Sequence, residues 1–283
     1  ADAFVSHCKW LLDQGADGLA VFGTTSEANS LGLEERMNLL DYLIESGISP
    51  DVLMPGTGTT ALTDTVKLTT HAVTRGCSGV LMLPPFYYKA VDDNGLFESF
   101  SEIIQRVGDA ALRVYLYHIP PVAQVSLSLN LIERLLKSYS GTVVGLKDSS
   151  GDWTNTSAVL EEFPSLATFC GSEVFLLDTL QKGGAGSITA TANVNVGNIR
   201  NVYENWQEDT AKELQKGINR VRKAFENYPA IPALKAIISA YWEHPNWKTV
   251  RPPLESLSAE DTQRLSDTLK QLDFEIQTDD IRT

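Results

Sequence analysis

Short apolar runs alternate with longer amphipathic stretches along most of this chain, which is the pattern of βα units wound around a parallel sheet. Seven runs read as strands: Gly18 to Phe22, Val52 to Gly56, Gly79 to Pro84, Arg113 to Tyr117, Val143 to Lys147, Leu166 to Cys170, and Gly186 to Thr189. The stretches between them carry helical periodicity: Leu33 to Glu45, Thr63 to Arg75, Leu96 to Val107, Leu129 to Leu136, Ser157 to Glu162, and Glu173 to Gln181. Gly47, Gly76 and Gly108 each fall just past such a stretch, where a capping glycine ends a helix.

The chain opens on a helical pattern, Ala3 to Gly15, ahead of the first strand run. A closed α/β barrel has eight strands. The expectation is therefore a TIM (β/α)8 barrel whose first strand is missing from this chain, so that the seven runs occupy barrel positions two to eight. Beyond them the pattern is wholly helical: one long amphipathic stretch from Val202 to Glu226, then Pro232 to Tyr241 and Ala259 to Leu272, joined through Arg251-Pro252-Pro253-Leu254. This divides the chain into a barrel over 1–200 and a C-terminal helical region over 201–283, whose apolar faces should pack on the barrel or on another subunit.

Composition narrows the function without choosing it. A hydrophobic content of 43% with 21% charged residues is ordinary for a globular protein, and no segment has the apolar length of a membrane span. The formal net charge of −13 argues against nucleic acid or an anionic membrane as a partner, since either requires a basic surface. Cys8, Cys77 and Cys170 are odd in number and lie in apolar patterns, as reduced thiols of a cytoplasmic protein do. His7, His71, His118 and His244 show no paired ligand spacing, so no metal is expected.

The candidate chemistry gathers at strand ends. Lys147 closes the run Thr142 to Leu146 and precedes Asp148-Ser149-Ser150-Gly151-Asp152. A buried parallel strand delivers its last residue to the edge where α/β barrels keep their reactions. Burial there disfavours an ammonium, and a neutral amine can attack a ketone to form a Schiff base. A lysine whose stem packs on the rim and whose head reaches Asp148 or water is the bland reading, and for an isolated lysine the better one.

Other strand ends carry weaker signals. The second barrel position ends in Phe22-Gly23-Thr24-Thr25-Ser26-Glu27, a hydroxyl cluster after a glycine that can offer donors to a carboxylate or simply cap a helix. The fourth ends in Pro84-Pro85-Phe86-Tyr87-Tyr88-Lys89, which suits a pocket wall or a subunit contact. The fifth reads Tyr115-Leu116-Tyr117-His118-Ile119-Pro120. Alternation puts Tyr115 and Tyr117 on one face, with Tyr117 nearer the C-terminal edge, where a phenol can relay protons. The eighth, Gly183 to Thr189, is glycine-rich but does not match a dinucleotide fingerprint, and Gly56-Thr57-Gly58-Thr59-Thr60 is too short for a Walker loop. No cofactor is expected.

Taken in order, GTTSE (Gly23 to Glu27), PPFYY (Pro84 to Tyr88), YHIP (Tyr117 to Pro120), GLKDSSGD (Gly145 to Asp152) and GAGSI (Gly184 to Ile188) followed by Asn193 closely resemble the Schiff-base lyase family that includes dihydrodipicolinate synthase and N-acetylneuraminate lyase. The resemblance covers essentially the whole chain, closing helices included. It implies a class I aldolase or lyase in which Lys147 forms the imine with pyruvate or another 2-oxo acid and Tyr117 is the acid/base. It implies that Thr24 links Tyr117 to an aromatic hydroxyl of the fourth loop, Tyr87, or Tyr88 given a one-residue difference in spacing. Some family members take that hydroxyl from a neighbouring subunit, which implies a homotetramer built from tight dimers. The Gly23-Thr24-Thr25 loop would hold the carboxylate through Thr25 and the Thr24 backbone, and the Ile188 backbone would contact the substrate's other end.

Departures from the family pattern bear on the second substrate. Members that make dihydrodipicolinate carry an arginine shortly after this tyrosine motif; here Val122 stands in its place, His118 replaces the usual asparagine, and Gln124 falls where glycine is common. Valine cannot form a bidentate carboxylate clamp. The expected reaction is cleavage or dehydration of a 2-oxo-3-deoxy sugar acid or a 4-hydroxy-2-oxo acid. The alternatives are dihydrodipicolinate synthase proper, acting on pyruvate and aspartate semialdehyde, and a non-catalytic barrel that binds 2-oxo acids.

Overall fold

The computed structural model describes residues 1–276, so residues 277–283 of the expected C-terminal helical region lie outside the described residues. Five parallel strands form the sheet: β1 (Val80–Met82), β2 (Val114–His118), β3 (Val143–Asp148), β4 (Ala167–Cys170) and β5 (Gly186–Ser187), ordered β1-β2-β3-β4-β5. Around and after them run α1 (Asp2–Asp13), α2 (Leu33–Glu45), α3 (Leu62–Thr74), α4 (Asp93–Val107), α5 (Pro120–Ala123), α6 (Leu129–Ser138), α7 (Trp153–Glu162), α8 (Leu176–Gln181), α9 (Ala192–Glu204), α10 (Ala211–Phe225), α11 (Ala230–Tyr241) and α12 (Ala259–Gln271). Side-chain caps fix several starts. Asp92 accepts from the Gly95 N–H, Ser128 from Leu131, Asp152 from Thr154 and Ser258 from Asp261, each satisfying a donor that helix geometry leaves orphaned.

The two N-terminal strand runs are the first correction. Gly18 to Phe22 and Val52 to Gly56 lie in the right order beside β1, but they meet their neighbours only through isolated parallel bridges, Leu19 to Leu53 and Gly56 to Leu81. The ladder is real but interrupted: Leu19 N donates to Val52 O at 2.7 Å, Gly56 N to Val21 O at 2.7 Å, and Leu81 N to Pro55 O at 3.0 Å. Pro55 has no N–H to give, Pro50–Val52 is wound into a 3-10 turn, and Phe22 turns into left-handed backbone at φ 57°. Each removes pairing that a regular strand would make.

Three further boundaries differ from expectation. The stretch Val202 to Glu226 is two helices, because Asn205 turns its side chain onto the Asn201 carbonyl and ends α9, the backbone competition that makes asparagine a helix stop. Glu173 to Gln181 opens as a 3-10 turn (Glu173–Phe175) before α8. The last strand stops at Ser187 rather than Thr189.

One apolar core spans both parts of the chain. Val5 and Leu11 of α1, Leu43 of α2, Leu116 of β2 and Leu146 of β3 belong to the same buried cluster as Leu234 and Ile237 of α11 and Leu265 and Leu269 of α12. Fully burying a leucine of this kind contributes roughly 2 kcal/mol, so the C-terminal helices share in the barrel's stability. No ladder joins β5 to the Gly18 to Phe22 run among the described residues. A cavity of about 370 Å³ opens between those two segments, lined also by α1 and by Tyr115, Lys147 and Phe169 of the sheet. No helix among the described residues is long and apolar enough to cross a membrane.

Candidate active site

Parallel register brings the lysine and the tyrosine together. Tyr117 on β2 pairs with Lys147 on β3, and Lys147 in turn pairs with Phe169 on β4. The Lys147 Nζ lies 4.4 Å from the centroid of the Tyr117 ring. Tyr117 is buried, and its hydroxyl lies 3.2 Å from Thr24 Oγ1 across the barrel mouth. One step down the same strands, Tyr115 faces Gly145. A Cβ at Gly145 would stand 2.2 Å from Tyr115 Cδ1, and one at Gly79 would stand 2.8 Å from Tyr115 Cε2. The Tyr115 ring thus lies across neighbouring strands only because both neighbours lack side chains, and with Phe169, 6.2 Å away ring to ring, it floors the space beneath Lys147.

Left-handed residues bracket the Gly23 to Ser26 loop: Phe22 at φ 57° and Glu27 at φ 56°. Such backbone costs a non-glycine residue on the order of 1 kcal/mol and persists only where its surroundings enforce it. At Glu27 the enforcement comes from the C-terminal region. Lys235 of α11 donates to Glu27 Oε1 at 2.5 Å, Arg251 N donates to Glu27 Oε2 at 3.1 Å, and the Arg251 guanidinium forks onto both Glu35 oxygens at 2.6 and 2.9 Å. The reversal leaves the N–H groups of Thr24 and Thr25 without a hydrogen-bond partner among the described residues, a concave pair of donors suited to a carboxylate.

Opposite that loop, Ile188 N donates to Cys170 O at 3.0 Å, so its carbonyl rather than its N–H is the group left for a ligand. The pocket brings Gly23, Thr24, Thr25, Lys147 and Ile188 to one wall system. Asp148, next to the lysine, is buried and fully occupied: it accepts from Ser150 N at 2.8 Å, Asn155 Nδ2 at 2.9 Å and Thr156 Oγ1 at 2.7 Å. This network fixes the turn that follows Lys147. His118 is buried too, its Nδ1 accepting the Leu127 N–H at 3.0 Å, which places any ring proton of the neutral form on Nε2. Burial lowers its affinity for a second proton, against a smaller opposing pull from Asp148.

The remaining expected residues stand apart. Tyr87 and Tyr88 are 74% and 72% exposed, with rings 5.4 Å apart edge to face, and neither hydroxyl reaches Thr24 within the described residues. Val122, on α5, is 60% exposed. Lys89 ties this rim together, donating to Phe86 O at 2.5 Å and Ala123 O at 3.0 Å. Sequence reading missed Glu173 and Arg222, which pack behind Ile188, and the Lys235 and Arg251 clamps on the Thr24 loop. A glutamate directly ahead of an apolar run, Val174-Phe175-Leu176-Leu177, was the available signal for the first.

Comparison with known proteins identifies the family. The model of the dihydrodipicolinate synthetase family matches residues 2–272. An uncharacterized DapA-like lyase of Chloroflexus aurantiacus is 34% identical over 260 residues, covering 92% of this chain and 86% of its own. A 4-hydroxy-tetrahydrodipicolinate synthase of Thermus thermophilus is 32% identical over 256 residues, covering 89% and 83%. The crystal structure of dihydrodipicolinate synthase from Agrobacterium tumefaciens superimposes with a TM-score of 0.89 at 32% identity, over 96% of this chain and 92% of that one. The parallel sheet order and these likenesses converge: the chain has the α/β TIM-barrel fold and belongs to the dihydrodipicolinate synthetase family of class I aldolases and lyases.

Proposed function

We propose that Lys147 forms a Schiff base with pyruvate or a related 2-oxo acid, and that the chain cleaves or dehydrates a 2-oxo-3-deoxy sugar acid or a 4-hydroxy-2-oxo acid. The observation that carries the reading is the Lys147–Tyr117–Thr24 constellation, with Nζ 4.4 Å from the phenol ring centroid and the phenol hydroxyl 3.2 Å from Thr24. The neutral amine adds to the ketone carbon, giving a carbinolamine. Tyr117 supplies the proton with which the hydroxyl leaves as water, and the cationic imine that results draws electrons from the adjacent carbon. Cleavage of the bond between carbons 3 and 4 then leaves an enamine on Lys147, the Tyr117 phenolate accepting the proton of the 4-hydroxyl as that fragment leaves as an aldehyde. Thr24 holds the phenol in place and passes protons toward the rim, where Tyr87 or Tyr88 of a neighbouring copy completes the path in a homotetramer. The Thr24 and Thr25 N–H groups hold the carboxylate, Gly23 permits the close approach, and the Ile188 carbonyl meets the far end.

Val122 supports a second substrate without a carboxylate at that point, since an exposed valine offers no charge to clamp one. The free thiols of Cys8, Cys77 and Cys170 support a cytoplasmic setting. Borohydride added with pyruvate, followed by peptide mass analysis, tests the first step: the reading requires a reduced pyruvyl adduct on Lys147, and an unmodified Lys147 at saturating pyruvate rejects it. A panel of 2-oxo-3-deoxy acids assayed for pyruvate release tests the second.

One competing reading has support of its own. The Thermus and Agrobacterium relatives carry synthase names at 32% identity, which favours condensation of pyruvate with aspartate semialdehyde. A useful rate of that condensation, together with no pyruvate release from the panel, would select it over the cleavage reaction.

A further inference from the structure

Behind the Ile188 segment sits a carboxylate that the scheme above does not use. Glu173 is wholly buried in the turn after β4. Its Oε2 accepts the Thr189 hydroxyl at 2.5 Å and lies 3.8 Å from Arg222 Nη1, while its Oε1 has no hydrogen-bond partner among the described residues. Arg222 comes from α10 and also donates to Thr191 Oγ1 at 3.2 Å. A second residue of α10, buried Gln215, grips the same turn: its amide donates to Glu173 O at 2.8 Å and Val174 O at 3.3 Å, and its oxygen accepts from Leu177 N at 3.0 Å.

A buried carboxylate is costly unless its partners are held in good geometry. Here one partner, Thr189, is the residue next to Ile188 and itself lines the cavity. The Ile188 segment is therefore fastened twice, by its own N–H to Cys170 O on the sheet side and by Thr189 to Glu173 on the helix side. The first contact sets its height along the strand. The second sets its rotation, and with it the direction of the Ile188 carbonyl.

We propose that Glu173, held by Arg222 and Gln215, is a positioning residue that aims the Ile188 backbone at the 2-oxo acid through the Thr189 hydroxyl. The inference rests on the Schiff-base reading above. It makes α10 part of the substrate site without touching substrate, and it predicts that loss of the contact weakens ligand binding while leaving imine chemistry at saturation in place.

The test is borohydride trapping of pyruvate on the full chain, with half-saturating pyruvate and the plateau trapping rate read separately, and thermal melting recorded beside each variant. Thr189→Val keeps shape but removes the hydroxyl; it should raise half-saturating pyruvate roughly tenfold, the scale of one lost charge-assisted hydrogen bond, with the plateau rate within about twofold. Thr189→Ser should restore binding to near wild type. Glu173→Ala should match Thr189→Val, and the double variant should be no worse than either single one, because both remove the same contact. Should Glu173→Ala fail to fold, the Thr189→Val and Thr189→Ser pair decides alone. A folded Thr189→Val chain with unshifted half-saturation overturns the inference, as do single-variant effects that multiply in the double variant. A wild-type chain that is not trapped overturns the Schiff-base reading and this inference with it.

Discussion

The Tyr117 hydroxyl meets Thr24 Oγ1 at 3.2 Å although 93 residues of chain separate them. Both sit at C-terminal strand edges, so the contact closes a path over the mouth of the barrel and puts the phenol between a hydroxyl and the Lys147 amine. Tyr117→Phe keeps the ring against Lys147 and removes the proton carrier. We expect kcat to fall on the order of 10²- to 10³-fold, the usual contribution of a placed acid/base, with KM for the 2-oxo acid changed little. Steady-state kinetics on whichever substrate releases pyruvate would check this, and an equal fall in Thr24→Val would show that the two act together.

Gly145→Ala should damage the site from below. The added methyl would collide with the Tyr115 ring at 2.2 Å and with Ala167 O at 2.8 Å, and neither a packed ring nor a strand carbonyl can yield that much. The expected result is a loss of about 2–3 kcal/mol in denaturant unfolding, as for other overpacked cores, together with loss of trapping at Lys147 two residues along. Full stability in this variant would contradict the packing described here.

Val122→Arg puts a guanidinium where the rim presents an exposed valine. If the second-substrate pocket lies where Val122 is exposed, the variant should improve KM for an aldehyde bearing a carboxylate by about 10-fold, the scale of one charged hydrogen bond, and impair an uncharged sugar-acid tail. Competition between the two substrate classes, measured in wild type and variant, reads both effects at once.

Lys235→Met leaves Glu27 without its ion-pair partner at a position only 12% exposed. We expect a cost of about 2 kcal/mol, below the 3–5 kcal/mol of fully buried pairs because some solvent reaches the site. The loss should appear in urea melts and as weaker pyruvate binding, since Glu27 closes the loop that carries Thr24 and Thr25.

Acid should destabilise the fold through His7. Its ring is packed against Trp10, Trp242 and Trp247, and burial lowers its pKa from 6.5 to about 4, a hydrogen bond to Asn193 opposing this only in part. Between those values the unfolded chain holds the extra proton. Stability is therefore full above about pH 6.5 and falls as pH drops toward 4, by about 1.4 kcal/mol per pH unit for this one group. Burial lowers His118 in the same direction. Unfolding titrations of His7→Gln should lose one proton's worth of slope in that window; an unchanged slope would show that the acid response arises elsewhere.

The parts of this protein that were legible in its residues are those set by local periodicity and strand order. Lys147, Tyr117 and Thr24 could be placed at one mouth because a parallel sheet sends every strand end to the same side. The interrupted pairing of Gly18 to Phe22 was not legible, since it depends on a left-handed Phe22 and on which neighbour Pro55 would have bonded. Nor was the break at Asn205, because a polar run on a helical face and a turn share composition. Glu173 and Lys235 escaped notice for a different reason. Their partners lie 16 and 208 residues away, and nothing in a local pattern says which charges will meet.

The clamp of Arg251 and Lys235 on Glu27 and Glu35 ties the loop's shape to the C-terminal helical region. The loop bearing Thr24 is held at its left-handed Glu27 by groups 208 and 224 residues further along the sequence, Lys235 and the Arg251 N–H. Lys147 and Tyr117 meet through the pairing of adjacent strands, whereas the Thr24 loop is fixed by contacts between distant parts of the chain. A change that loosens α11 or the Arg251 segment therefore reaches the Thr24 loop without touching any residue that lines the cavity.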